Sequence, residues 1–142
     1  MVMMIDVADV LGLPPSVGGQ SAFGLITRIE EGLPLDTLDR VVRLVAPGDA
    51  QFKYRLVPKA TYERRKTRNA LSADQGTRVA RLAKVWGIAL DVWKDADAAR
   101  HFLFRPHPML EDKRPVDVTI QSEFGAEMVV DILGRLKYGS AA

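Results

Sequence analysis

Apolar residues recur at three- and four-residue intervals in several separate stretches, and this period predicts a chain built of short amphipathic helices. One is LDTLDRVVRLVAPG, where Leu38, Val41, Val42 and Val45 fall on one face while Asp39, Arg40 and Arg43 fall on the other. Asp36 is placed to cap the free N–H groups of this helix, and Pro47 with Gly48 ends it. Before it, SAFGLITRIEEG predicts a helix over about 22–31, with Ser21 as cap and Gly32 as stop. After it come two short helical pieces, roughly 49–56 and 60–68, separated by Val57 and Pro58. Proline disfavours helix in the residue before it and has no N–H to donate, so the chain turns a sharp corner there.

Ser72 with Gln75 three residues on forms a capping box, which opens the longest helix, about 73–94. Its stripe is Val79, Leu82, Ala83, Trp86, Ala89, Leu90 and Trp93, against Arg78, Arg81, Lys84 and Asp91. Ile88 interrupts that polar face, marking either a partner contact or a second packed neighbour. Asp95 caps a further helix, DADAARHFLF, which must end before Pro106, and RPHPMLEDKRPVD reads as loop. Pro115 suits the first turn of another short helix holding Val116, Val118 and Ile120. Ser122 caps a last one, about 123–137, whose wide apolar stripe is Phe124, Met128, Val129, Ile132, Leu133 and Leu136. Residues 1–20 read as a short helix or arm followed by a Pro- and Gly-rich linker. No period-two alternation is sustained and no Gly-rich loop follows a strand, so the predicted fold class is all-α.

The length of 142 residues fits one domain or two small units, and 47% apolar with 27% charged residues is the make-up of an ordinary folded protein. No stretch approaches the roughly 20 apolar residues of a membrane span, and the start MVMMIDVADVLGLPPS lacks a basic n-region, so a cytoplasmic location is expected. The absence of cysteine rules out disulfides, thiolate zinc sites and thiol nucleophiles. His101 and His107 offer no metal-ligand spacing and read as structural or surface residues. Glu111, Asp112 and Asp117 lie near one another, but Asp117 reads better as ordering the start of the next helix than as an acid or base. Trp86 and Trp93 share a helix face and read as core. We therefore expect no catalytic residues, no metal and no cofactor.

Charge changes the picture more than composition does. Lys53, Arg55, Lys59, Arg64, Arg65, Lys66 and Arg68 stand against the single acid Glu63, a local charge of +6, so the rest of the chain sums to −4 against an overall +2. A concentrated positive stretch on a mildly acidic body is the footprint of a phosphate-binding surface, the plain alternative being a solvated helix face. The corner at Val57 and Pro58, preceded by the helix of 36–45, has the spacing of a helix-turn-helix. In that arrangement Val57 and Tyr62 turn inward, while Lys59, Thr61, Arg64, Arg65 and Arg68 face phosphates and base edges.

The order LDTLDRVV, LVPKATYERRK, LSADQGTRVARLAKVWGIALDVW, FLFRPHPML, RPVD and EMVVDILGRLKYG closely resembles the Xre/MbcA/ParS family of antitoxins over roughly residues 22–140. The resemblance implies an Xre-like helix-turn-helix DNA-binding domain over 21–70 and a helical toxin-binding domain over 71–142, after an arm at 1–20. It also implies two partners: operator DNA, bound to repress the protein's own operon, and a RES-domain toxin that consumes NAD and whose active site the antitoxin covers. A homodimer is expected, because paired half-sites reward two reading helices. The family's P-x-x-T-[LY]-x-R-R stretch matches Pro58, Thr61, Tyr62, Arg64 and Arg65. Its closing L-G-R-[IL]-x-[YH]-G matches Leu133, Gly134, Arg135, Leu136, Tyr138 and Gly139, which makes Leu133, Arg135, Leu136 and Tyr138 the toxin-binding candidates. For Leu133 and Leu136 the alternative is a place in the core. The chain departs from the family at Leu56, where Gly is common, and at Glu111 and Asp112, where small residues are common. A helix-turn-helix regulator without a toxin partner is the competing reading.

Overall fold

The computed structural model describes residues 6–14 and 22–139. Its helices are α1 (Val7–Leu11), α2 (Ala22–Glu31), α3 (Leu35–Val45), α4 (Lys53–Leu56), α5 (Lys59–Arg65), α6 (Ala73–Trp93), α7 (Ala96–Phe104), α8 (Pro115–Gln121) and α9 (Glu123–Tyr138), with a 3-10 turn at Pro108–Leu110. Among the described residues there is no strand, and the fold is all-α as expected. The chain divides into two compact units, one spanning Asp6–Ala83 and the other running from Lys84 onward.

In the first unit α3 is the central element, with Leu38, Val41, Val42 and Val45 all buried. Removing a side chain such as Leu38 from water stabilises the fold by about 1.5–3 kcal/mol. The Asp36 cap expected for α3 is not formed: Pro34 occupies the cap position and makes no side-chain bond. Asp36 sits inside the first turn, where its charge meets the positive end of the helix dipole. The free Leu35 N–H is taken instead by Asn69 Oδ1 at 3.3 Å. Asn69 has φ 52°, a left-handed conformation that Asn tolerates better than most residues. Its own N–H donates to Arg65 O at 2.8 Å, closing α5 three residues earlier than the expected 68. The chain then turns back so that Leu71 N donates to Leu33 O at 2.8 Å.

α4 is likewise shorter than the expected 49–56, because residues 50–52 form a turn. Asp49 Oδ1 accepts from Gln51 N at 2.9 Å, a local bond that competes with helix. The capping box at the head of α6 is formed: Ser72 N donates to Gln75 Oε1 at 2.8 Å and Gln75 N to Ser72 Oγ at 3.2 Å. Ser21, expected to cap α2, and the linker at 15–20 lie outside the described residues. Ile88 on α6 is buried, so the break in the polar face is a packed position. Trp86 is core as expected, whereas Trp93 is 39% exposed, a correction taken up below.

In the second unit Asp95 caps α7 by accepting from Ala98 N at 2.9 Å, and Ser122 caps α9 by accepting from Gly125 N at 2.9 Å. The expected loop before α8 is tighter than its prolines suggested: His107 N donates to Lys113 O at 3.1 Å, and His107 Nδ1 accepts from Met109 N at 3.1 Å. α8 packs against both α7 and α9. Its junction with α9 requires Gly125, whose Cβ would lie 2.2 Å from the Val118 carbonyl oxygen. The wide stripe expected on α9 splits. Val129, Ile132 and Leu133 are buried, but Phe124 is 83% exposed and Met128 48%. At about 100° per residue, Phe124 and Met128 stand about 140° and 100° round the helix from Val129, too far to share one seam.

Candidate functional site

The corner between α4 and α5 is built from backbone that any residue can adopt. Val57 has φ −137° and Pro58 φ −53°, and no residue from Lys53 to Arg65 has positive φ, so Leu56 stands where glycine is common without strain. Leu56 and Val57 are both completely buried. Arg78 of α6 donates from its guanidinium to the Leu56 carbonyl, satisfying an acceptor at the end of α4 that the helix cannot satisfy itself.

Tyr62 anchors α5 from the inside. It is 6% exposed, and its hydroxyl lies 3.1 Å from both Asp39 carboxylate oxygens on α3, to which it donates. Tyr54 meets its ring edge-on at 6.1 Å, and Lys53 Nζ stands 4.2 Å from the ring centroid and 3.8 Å from Asp39 Oδ1. Burial pushes the Tyr62 phenol above its ordinary range, and the Asp39 carboxylate pushes it further, so the hydroxyl stays protonated and donating.

With Tyr62 turned inward, the basic residues sort by position. Arg64 lies nearly opposite Tyr62 on the helix and is exposed; Thr61 and Arg65, one turn apart, share a half-buried flank. Lys59 is exposed and lies one turn from Glu63 on the other flank. Arg68 is exposed but falls in the turn after α5, not on the helix where it was expected, because the bond from Asn69 ends the helix at Arg65. Lys53 is drawn to Asp39, and Lys66 pairs with Glu63 at 3.1 Å, which raises its ammonium. Arg64, Arg65 and Arg68 have no carboxylate partner among the described residues, so their guanidinium groups are not held in salt bridges.

The second group of expected site residues sits at the end of α9. Leu133 is completely buried, so it belongs to the core and cannot present its side chain to a partner; it stands one turn from the equally buried Val129. Arg135 is exposed, Leu136 is 41% exposed and Tyr138 51%. Gly139 closes the helix with φ 67°, its N–H donating to Arg135 O. Lys137 hydrogen-bonds to Asp91 on α6, and Lys94 Nζ reaches the same carboxylate at 3.1 Å. The Lys137 bond, then the Lys94 bond, hold the Asp91 carboxyl below the ordinary carboxylate range. Neither Asp91 nor Arg78 was legible as part of a site, since each acts on a residue 22 or more positions away.

The acids near α8 are held structurally. Asp117 binds Arg114 through both carboxylate oxygens, at 2.8 Å from Nε and 3.0 Å from Nη2, while Glu111 and Asp112 occupy an exposed turn. Among the described residues no group of three or more His, Asp or Glu side chains is placed to hold a metal ion, and no helix is long and apolar enough to cross a membrane.

A helix-turn-helix unit with an exposed basic helix is thus followed by a second helical unit that ends in an exposed Arg and Tyr. Residues 24–84 match the antitoxin Xre-like helix-turn-helix domain, and residues 89–139 match the antitoxin Xre/MbcA/ParS C-terminal toxin-binding domain. The chain is also 27% identical over 132 residues to the Antitoxin Xre of Yersinia enterocolitica serotype O:8 / biotype 1B (strain NCTC 13174 / 8081), an alignment covering 91% of this chain and 86% of that protein. The chain belongs to the Xre/MbcA/ParS family of antitoxins. It is an antitoxin of a toxin–antitoxin pair, with a helix-turn-helix domain followed by a toxin-binding domain.

Proposed function

We propose that this antitoxin neutralises a RES-domain toxin that consumes NAD, by laying the end of α9 over the toxin's active site, and that it represses its own operon through α5. It acts without catalysis of its own, in the cytoplasm, as a homodimer that sets two α5 helices on paired half-sites. Residues 21–70 carry the DNA contact and 71–142 the toxin contact. The observation that carries the reading is the exposure of Arg135 and Tyr138 on the last turn of α9, within the stretch that matches a toxin-binding domain. A guanidinium beside an aromatic ring suits a cleft that takes an anionic dinucleotide. With Leu133 in the core, the contact set becomes Arg135, Leu136 and Tyr138.

On the DNA side, Arg64, Arg65 and Arg68 supply phosphate contacts with the salt dependence these bring, Lys59 and Thr61 flank them, and a bidentate Arg supplies preference for guanine. A regulator without a toxin partner would use the same α5 face, so α5 does not separate the two readings. The deciding experiment is NAD consumption by a cognate RES-domain protein, with and without an equimolar amount of this chain. Inhibition with co-elution supports the antitoxin mechanism. Full NAD consumption in the presence of a co-eluting chain would overturn active-site covering, and no co-elution would leave only the regulator.

A further inference from the structure

The second unit also carries a groove of about 680 Å³ that shares only Leu136 with the toxin contact proposed above. Its wall is aromatic: Trp93 is tilted against Phe102 with ring centroids 6.1 Å apart, and His107 meets Phe102 edge-on at the same distance. Such a volume accepts one or two large side chains. Trp93, assigned to the core by its helical spacing, is 39% exposed here. An indole left half in water at the rim of an apolar groove is the kind of anchor that contributes most at protein interfaces.

Among the described residues, Arg105 is the one charged residue that lines the groove, and it is cationic. Arg105 and His101 line it, with Arg105 Nη1 3.3 Å from His101 Nε2, and no carboxylate lines it at all. Arg105 has no carboxylate partner among the described residues. A guanidinium at the edge of an aromatic groove is complementary to a bulky apolar side chain with a carboxylate next to it.

We infer that this groove is a second docking site for the toxin, taking a segment in which a large apolar residue is followed or preceded by Asp or Glu. The inference rests on the toxin-binding reading, because every lining residue falls between Trp93 and Leu136, inside the matched toxin-binding stretch 89–139. Leu136 joins the groove to the exposed end of α9, so one partner surface reaches both. The groove supplies affinity and the α9 end supplies inhibition.

The test uses the whole 142-residue chain and its cognate RES-domain toxin. Arg105→Glu repels the carboxylate and Ala98→Trp fills the groove, and each is expected to weaken toxin binding about tenfold or more. Arg105→Lys keeps the charge and should lie between these variants and wild type, while thermal unfolding stays unchanged for all three. Because the chain has no cysteine, Ala98→Cys supplies one thiol, whose reaction with a maleimide is expected to slow in the complex and not with rising concentration of the chain alone. Wild-type affinity in both Arg105→Glu and Ala98→Trp overturns the groove while leaving toxin binding intact. Loss with Ala98→Trp only would overturn the carboxylate, protection by the chain alone would assign the groove to a second copy, and failure of wild type to bind toxin would overturn the underlying reading.

Discussion

Arg78 donates to the carbonyl oxygen of Leu56, and this bond fastens α6 to the corner that aims α5. The carbonyl lies at the C-terminal end of a four-residue helix and its bond is partly buried, so its partner contributes more than an exposed hydrogen bond would. Arg78→Ala is expected to destabilise the first unit by about 1–3 kcal/mol. It should also weaken operator binding without removing a DNA contact, leaving the salt slope of binding unchanged. Urea unfolding and a salt titration of DNA affinity check both parts; a changed slope would place Arg78 at the DNA.

The Asp91 carboxyl is held low by Lys137 first and Lys94 second, so its charged form is favoured in the folded chain. Its contribution is complete above the unfolded carboxylate range, about pH 4, and is lost as pH falls through the depressed folded value. Asp91→Asn is expected to flatten the acid side of the stability profile below about pH 4 and to raise hydrogen exchange at the end of α9. An unaltered acid slope in the variant would mean that the clasp contributes nothing.

Glu111 and Asp112 both stand in the left-handed region, with φ 55° and 62°, in the turn that joins His107 to Lys113. Asp tolerates this conformation better than Glu, whose longer side chain is less suited to bond its own backbone. Glu111→Gly should therefore stabilise the second unit by about 1 kcal/mol and raise its melting temperature. A lower melting temperature would show that the Glu111 ion pair with Lys113, 3.9 Å apart, outweighs the backbone strain.

Elements whose cause lies within a few residues were legible in the sequence. The capping box of Ser72 and Gln75, the caps at Asp95 and Ser122 and the inward turn of Val57 and Tyr62 all formed as expected. What failed was set by distant contacts. Asn69 starts α3 and ends α5, which displaced Asp36 from its expected cap and put Arg68 beyond the helix. Periodicity identified the apolar residues of α9 but not which of them had a neighbour to pack on, so Leu133 went to the core and Phe124, Met128 and Leu136 to the surface. Trp93 stands at core spacing on α6 yet lies at its last turn, where the rim of a groove leaves it half in water. The start of α6 at Ala73 and the division between units after Ala83 are separate landmarks, the second invisible to a pattern that runs unbroken through the helix.

The central claim is that DNA and toxin are held by different units through different side chains. Its most direct test measures operator binding and toxin inhibition on the same preparations of wild type, Arg64→Ala with Arg65→Ala, and Arg135→Glu. The double variant is expected to lose operator affinity, with a salt slope lower by about 2, and to inhibit the toxin as wild type does. Arg135→Glu should bind the operator normally and release the toxin's activity. If both variants lose both properties together, the two-interface account is wrong.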